Sequence, residues 1–183
     1  TQLQSSAASD VYKRQANFGN AYSAWFGRSN GLPVNKILCS TNVNDVLRRF
    51  IETGELAPEK TLPSVAPSMD IQIPSSLERL IFDFTDGASV FYDTLLKEHK
   101  AKLSDENIIK LNHIFSSSTF LDDDIKSEIK SLYEEFGSIF DPHSVTSIRM
   151  ALDNQDSVPT VAVATASPEK FSNVIAQLIE TFN

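Results

Sequence analysis

Asn17-Phe18-Gly19-Asn20 stands directly before a stretch suited to a helix. The first amides of a helix have no partner within it, and the positive end of the helix dipole lies there, so such a position suits an anion. Glycine lets the anion approach the backbone closely. The same four residues also suit an Asn-rich helix cap with no ligand. Neither GxxxxGK[ST] nor GxGxxG occurs, so the common nucleotide-binding fingerprints are absent.

Other chemistry-bearing residues read as structural. His143 follows Asp141-Pro142 and has the type of a general base, but no nucleophile is patterned around it. His99 and His113 fall on polar or mixed helix positions and read as solvated. Asp122-Asp123-Asp124 lacks the glycine-containing spacing of a calcium loop and reads as an acidic helix start, which the dipole favours. No metal site is expected. Cys39 is the single cysteine, set in the apolar run Ile37-Leu38-Cys39, which excludes a disulfide framework and a thiolate zinc site in a monomer. A reduced, cytoplasmic setting follows as the expectation.

The net charge of -8, from 24 acidic and 16 basic side chains, repels phosphate backbones and anionic headgroups. Nucleic acid and membrane surfaces are therefore not expected partners. A phosphorylated ligand would have to be held by local backbone donors against that field. No apolar run approaches the roughly 18 residues of a spanning helix.

The elements that would position these groups alternate between strand and helix. Residues 1–15 show neither periodicity, and Ser6 to Gln15 resembles a translated adaptor or assembly scar, so a foreign-looking or disordered tail is expected there. Ala21 to Asn30 suits a helix stopped by Gly31 and Pro33, and Lys36 to Ser40 suits a buried strand. Val43, Val46, Leu47 and Phe50 have helical spacing, with Asn42 or Thr41 as cap and Gly54 as stop. Pro58 to Pro74 reads as an ordered irregular connection, followed by a helix marked by Leu77, Leu80, Ile81 and Phe84. Ser104 caps a segment with Ile108, Leu111 and Phe115 on one side, and Ile125, Ile129, Leu132 and Phe136 mark the next helix. Thr160 to Ala164 reads as a buried strand, Ser167-Pro168 as a helix start, and Phe171 to Phe182 as a core-facing helix. Strand-then-helix units imply a parallel sheet.

Several blocks in this order resemble threonine synthase. They are Asn17-Phe18-Gly19-Asn20-Ala21, Gly31-Leu32-Pro33, Ser40-Thr41-Asn42-Val43-Asn44-Asp45-Val46-Leu47-Arg48-Arg49-Phe50 and Thr53-Gly54-Glu55. Pro67-Ser68-Met69-Asp70-Ile71 with Leu77-Glu78-Arg79-Leu80 resembles the family's SPSMDI and FERLLF region. Asp141-Pro142-His143-Ser144 resembles its DPHTA motif, and Ala164-Thr165-Ala166-Ser167-Pro168-Glu169-Lys170-Phe171 its ATAHPAKF motif. The match covers residues 17 to about 182.

The resemblance implies an α/β fold, part of the large domain of a fold type II pyridoxal-phosphate enzyme: a parallel sheet flanked by helices, spanning 16–183 with a helix-rich insertion at about 86–138. It implies pyridoxal 5'-phosphate as cofactor and conversion of the small-molecule substrate O-phospho-L-homoserine to L-threonine. By resemblance, Asn17, Phe18, Gly19 and Asn20 bind the cofactor's phosphate, and Thr165 faces the pyridine nitrogen. The Schiff-base lysine lies in the family's N-terminal half, and none of Lys13, Lys36, Lys60, Lys97, Lys100, Lys102, Lys110, Lys126, Lys130 or Lys170 has its context. No catalytic residue is therefore assigned. The expectation is an inactive fragment that needs that half to complete a site. A threonine-synthase-like phospho-lyase and a non-catalytic binding or interaction module are the alternative readings.

Departures from the family pattern stand near the expected site. Ala16 occupies the place of the loop's leading glycine, Ser144-Val145-Thr146-Ser147 replaces Thr-Ala-Val-Gly, and Ser167 replaces a histidine.

Overall fold

The computed structural model describes residues 9–14, 18–85, 87–154, 158–164 and 166–179. In chain order the elements are β1 (Ser9–Arg14), α1 (Gly19–Ser29), β2 (Val34–Thr41), α2 (Val46–Thr53), β3 (Glu55–Leu56), α3 (Leu77–Thr85), α4 (Ser89–Glu98), β4 (Ala101–Lys102), α5 (Asp105–Ile114), β5 (Phe115–Thr119), α6 (Asp122–Phe136), α7 (Ser144–Asp153), β6 (Thr160–Val163) and α8 (Ser172–Ile179). Short 3-10 turns cover Pro67–Met69 and Pro168–Phe171.

Four strands form one sheet in the order β5-β2-β1-β6, and every neighbouring pair is parallel. All four C-terminal ends therefore open onto one edge. β3 and β4 form a separate antiparallel pair.

β2 shows why the sheet is covered on both faces. From Ile37 to Thr41 every residue is buried, the mark of a strand with layers above and below. Its side chains alternate between those layers. Ile37 and Cys39 join a large cluster with Ala21 and Ala24 of α1, Val46, Leu47, Phe50 and Ile51 of α2, and Leu77, Leu80 and Ile81 of α3. Leu38 instead packs with Met150 of α7, and the Ser40 hydroxyl bonds that of Thr146 at 2.8 Å. Phe50 is fully buried and meets Phe91 edge-on at 6.3 Å between centroids; truncating such a ring costs about 3–5 kcal/mol. A second cluster joins Ala66 and Met69 to Ile125, Ile129, Leu132 and Val145, tying α6 and α7 to the Pro67–Met69 turn.

The helix ends follow local chemistry. The Ser104 hydroxyl accepts the Asn107 amide at the start of α5, and Asp124 accepts the Leu121 amide at 2.9 Å ahead of α6, whose first turn is acidic. Gly54 ends α2 in the left-handed region at φ 72°.

Several readings of the sequence are corrected here. Ser9–Arg14, within the stretch that showed no periodicity, is a strand paired on both sides. Phe115, at helical spacing from Leu111, begins β5 instead, because the ladder with β2 captures it. α2 begins at Val46 rather than beside Asn42, whose side chain is committed elsewhere. β6 is an outer strand with Val161 half exposed, not a buried one. No helix among the described residues is long and apolar enough to cross a membrane.

Candidate functional site

The C-terminal edge of the parallel sheet collects the chemistry-bearing residues, as crevices there do in open α/β sheets. β1 leads into residues 15–18 and then α1. β6 leads through Ala164 into residue 165. The two strands are neighbours, with Lys13 opposite Val163. The loop before α1 and the segment carrying Thr165 thus start from adjacent strands about 5 Å apart. Asn17 and Thr165 themselves lie outside the described residues.

Of the expected phosphate-binding residues, Phe18, Gly19 and Asn20 are described. Phe18 precedes α1 with φ 59°, a left-handed conformation unusual for an aromatic residue. Its ring is wholly buried and lies 5.9 Å from that of Phe115. Phe18 therefore anchors the start of α1 through its side chain. Its carbonyl accepts the Tyr22 amide at 2.9 Å. No side-chain hydrogen bond caps this helix at Phe18, and no acidic residue sits in its first turn. An anion placed at the opening amides of α1 would thus meet no competing carboxylate from that turn. A methyl group at Gly19 would meet Ser76 Oγ at 3.5 Å, an ordinary contact, so protein packing does not by itself demand glycine there.

α7 lies on the sheet face opposite α1. It packs on β1, β2 and β6, and its first turn carries the buried residues Ser144, Val145, Thr146 and Ser147. The Thr146 hydroxyl donates to the His143 carbonyl at 2.8 Å while pairing with Ser40. Ser147, where the family has glycine, is buried and its hydroxyl has no partner.

His143 and Asp141 are both completely enclosed. His143 Nδ1 lies 2.8 Å from Asp141 Oδ1, and the Ser68 amide donates to Nε2 at 3.1 Å. An accepting Nε2 fixes the neutral tautomer with the proton on Nδ1. Burial pushes the Asp141 carboxyl up, yet the hydrogen bonds from the His143 ring, the Ser144 hydroxyl and the His143 amide outweigh it and hold its pKa below the ordinary value. His143 therefore has every polar atom engaged within the protein, as a structural histidine would. The Phe171 ring lies 4.5 Å from that of His143 between centroids; sequence reasoning assigned the structural role but not the partners Ser68 and Phe171, which no local signal reveals.

The connection after β2 is riveted over the same edge. Asp70 accepts from the amides of Asn42 and Asn44, and from the backbone and hydroxyl of Ser64. Asn42 and Asn44 are buried, and their role was not read from sequence.

Among lysines whose side chains are described, Lys36 and Lys126 are half-buried and the others exposed. Asp122 accepts the Val65 amide at 3.2 Å. Ser167 precedes the Pro168–Phe171 turn without a side-chain cap bond.

No protein-family model matches the chain. It is 32% identical to the threonine synthase of Pseudomonas aeruginosa over 165 residues, which are 87% of this chain and 35% of that protein. A threonine synthase from Brucella melitensis, solved with pyridoxal phosphate bound, superposes with a TM-score of 0.88 at 27% identity, covering 96% of this chain and 39% of the other. The yeast threonine synthase does so at 0.89 and 26%, with the same coverage. The chain thus spans between a third and two fifths of the length of these proteins, and over that span its fold is the expected fold type II α/β arrangement.

Proposed function

From the premise that this chain is a threonine synthase relative over the part of those proteins it matches, we propose that it supplies two ends of a pyridoxal 5'-phosphate site. The backbone of Asn17, Phe18, Gly19 and Asn20 holds the phosphate, and the Thr165 hydroxyl faces the pyridine nitrogen. The observation that carries this reading is the adjacency of β1 and β6, whose C-terminal ends lead into those two segments.

The residues present fit such a group. A dianionic phosphate at α1 gains several charge-assisted amide contacts, and the uncapped first turn without carboxylates leaves them free to form. That local arrangement reconciles anion binding with an overall charge of -8. The buried Phe18 ring fixes the start of α1, so its opening amides are ordered before the ligand arrives. At the other end a hydroxyl, unlike a carboxylate, leaves the ring nitrogen largely unprotonated.

When bound, pyridoxal phosphate supplies an electron sink for bond cleavage at an amino-acid substrate. In the whole protein the reaction is conversion of O-phospho-L-homoserine and water to L-threonine and phosphate, in the cytoplasm. The cofactor lysine is not among this chain's lysines, so the chain by itself turns nothing over.

Titration of the purified chain with pyridoxal 5'-phosphate and with pyridoxal tests the reading. The phosphorylated form should bind at least about tenfold more tightly, a difference of about 1.4 kcal/mol, and borohydride should fix it to no single lysine. Equal affinity for the two would remove the phosphate assignment, and a unique lysine adduct would overturn the missing-lysine claim.

A further inference from the structure

We propose that the cleft between α1 and α3 is a site for a small molecule carrying a methylated ammonium group. The proposal is independent of the cofactor reading above.

Helical spacing builds the cleft. Tyr22, Trp25, Phe26 and Ser29 recur three and four residues apart along α1, which sets them on one face. Phe82 and Asp83 of α3 complete a cavity of about 510 Å³, within the roughly 300–1,000 Å³ of small-molecule sites. Its walls are dominated by aromatic rings, and the one charged side chain among the lining residues is the Asp83 carboxylate. Phe26 and Phe82 are 57% and 58% exposed, so much of both rings stands open to solvent instead of filling the core.

Asp83 ties the two helices together at this wall. Its Oδ2 accepts the Trp25 indole N–H at 3.0 Å. Burial pushes the Tyr22 hydroxyl's pKa up, and the charge of the nearby Asp83 adds to the rise. One carboxylate therefore stands beside both polar-tipped rings. The same wall already attracts a cation from its flank, since Arg79 Cζ lies 5.8 Å from the centroid of the Tyr22 ring, within the distance at which a ring's negative face acts on a positive charge.

The chemistry selects the ligand. Asp83 repels an anion, and a neutral apolar group gains nothing from it. A cation gains both the carboxylate and the ring faces. A primary ammonium is strongly hydrated and needs acceptors for three N–H donors, whereas Asp83 already spends one oxygen on Trp25. A methylated ammonium has no such donors, and its apolar methyl surface matches rings while the charge is retained.

Trp25 is the single tryptophan of the chain, so its fluorescence reports on the cleft. The test titrates the chain with choline, with ethanolamine, and with 3,3-dimethylbutan-1-ol, which replaces choline's nitrogen by carbon. Choline should change the emission saturably and bind at least about fivefold more tightly than either of the others. Asp83→Asn keeps an acceptor for the indole but removes the charge, and should weaken choline about threefold or more while leaving the neutral alcohol unchanged. Phe82→Leu removes an exposed ring and should weaken choline by a similar factor. Equal affinity for choline and the alcohol, no saturable response, or choline binding that survives both substitutions would overturn the proposal. So would a dimer in sedimentation velocity that Phe26→Ser dissolves, because the cleft would then belong to a second copy of the chain.

Discussion

Asn42 Nδ2 donates to Asp70 Oδ1 at 2.6 Å, joining the C-terminal end of β2 to a residue 28 positions later. Asp70 also receives Asn44, the Ser64 amide and the Ser64 hydroxyl, so one carboxylate organises the proline-rich connection over the sheet edge. Asp70→Ala would strand the Ser64 donors and should cost about 3 kcal/mol. Urea unfolding checks this, and a loss below about 1 kcal/mol would mean that the network closes around the gap.

β1 lies between two parallel partners, with Val11 opposite both Ile37 and Val161. A proline there removes a ladder donor and clashes within a strand that has no free side. Val11→Pro should lower stability by about 3 kcal/mol or more. An unchanged urea midpoint would show that Ser9–Arg14 does not hold this place in solution.

That strand illustrates what the sequence leaves unreadable. Tyr12-Lys13-Arg14 has none of the apolar continuity of an inner parallel strand, and its conformation comes from the slot between β2 and β6. Ser116 to Thr119 is similar: a polar run becomes β5 because Ser117 donates to the Cys39 carbonyl at 2.6 Å and Thr119 pairs with Thr41 at 2.9 Å. Elements with their own caps were legible. Ser104 before α5, the acidic start of α6 and Gly54 after α2 act locally and read correctly. At the site, the His143 role was legible because no reactive partner was patterned near it. Its partners were not, since Ser68 lies 75 residues away and reaches it through the backbone.

Gly54 combines two demands. Its φ of 72° disfavours any side chain, and an added Cβ would clash with the Ile108 side chain. Gly54→Ala should cost about 2–4 kcal/mol from backbone strain plus overpacking. Adding Ile108→Ala should recover part of the steric cost but none of the conformational cost, so a double-mutant cycle by thermal unfolding should show favourable coupling. Strict additivity would place the clash elsewhere.

Ser147 is buried with an unpartnered hydroxyl in the first turn of α7. Such a group has lost water and gained nothing, at a cost of about 1–3 kcal/mol. Ser147→Ala should therefore raise stability by about 1 kcal/mol, seen as a higher urea midpoint with unchanged slope. A lower midpoint would show that the hydroxyl has a partner in solution.

Asp141 contributes to how the chain responds to acid. Burial raises its pKa, but bonds from the His143 ring, Ser144 and the His143 amide together hold it below the 3.8 of a free carboxyl. A carboxyl depressed in the folded state binds fewer protons than when unfolded, so its stabilisation is complete above the unfolded pKa and is lost as pH falls through the folded one. The window therefore lies below about pH 4, and stability should be insensitive to this group between about pH 5 and 7. Asp141→Asn removes the titration. Unfolding free energies measured from about pH 3 to 7 should show the variant less stable at neutrality, because its amide cannot accept from both His143 and Ser144, and with a shallower acid limb than the parent. Parallel acid limbs would mean that another carboxylate carries the linkage.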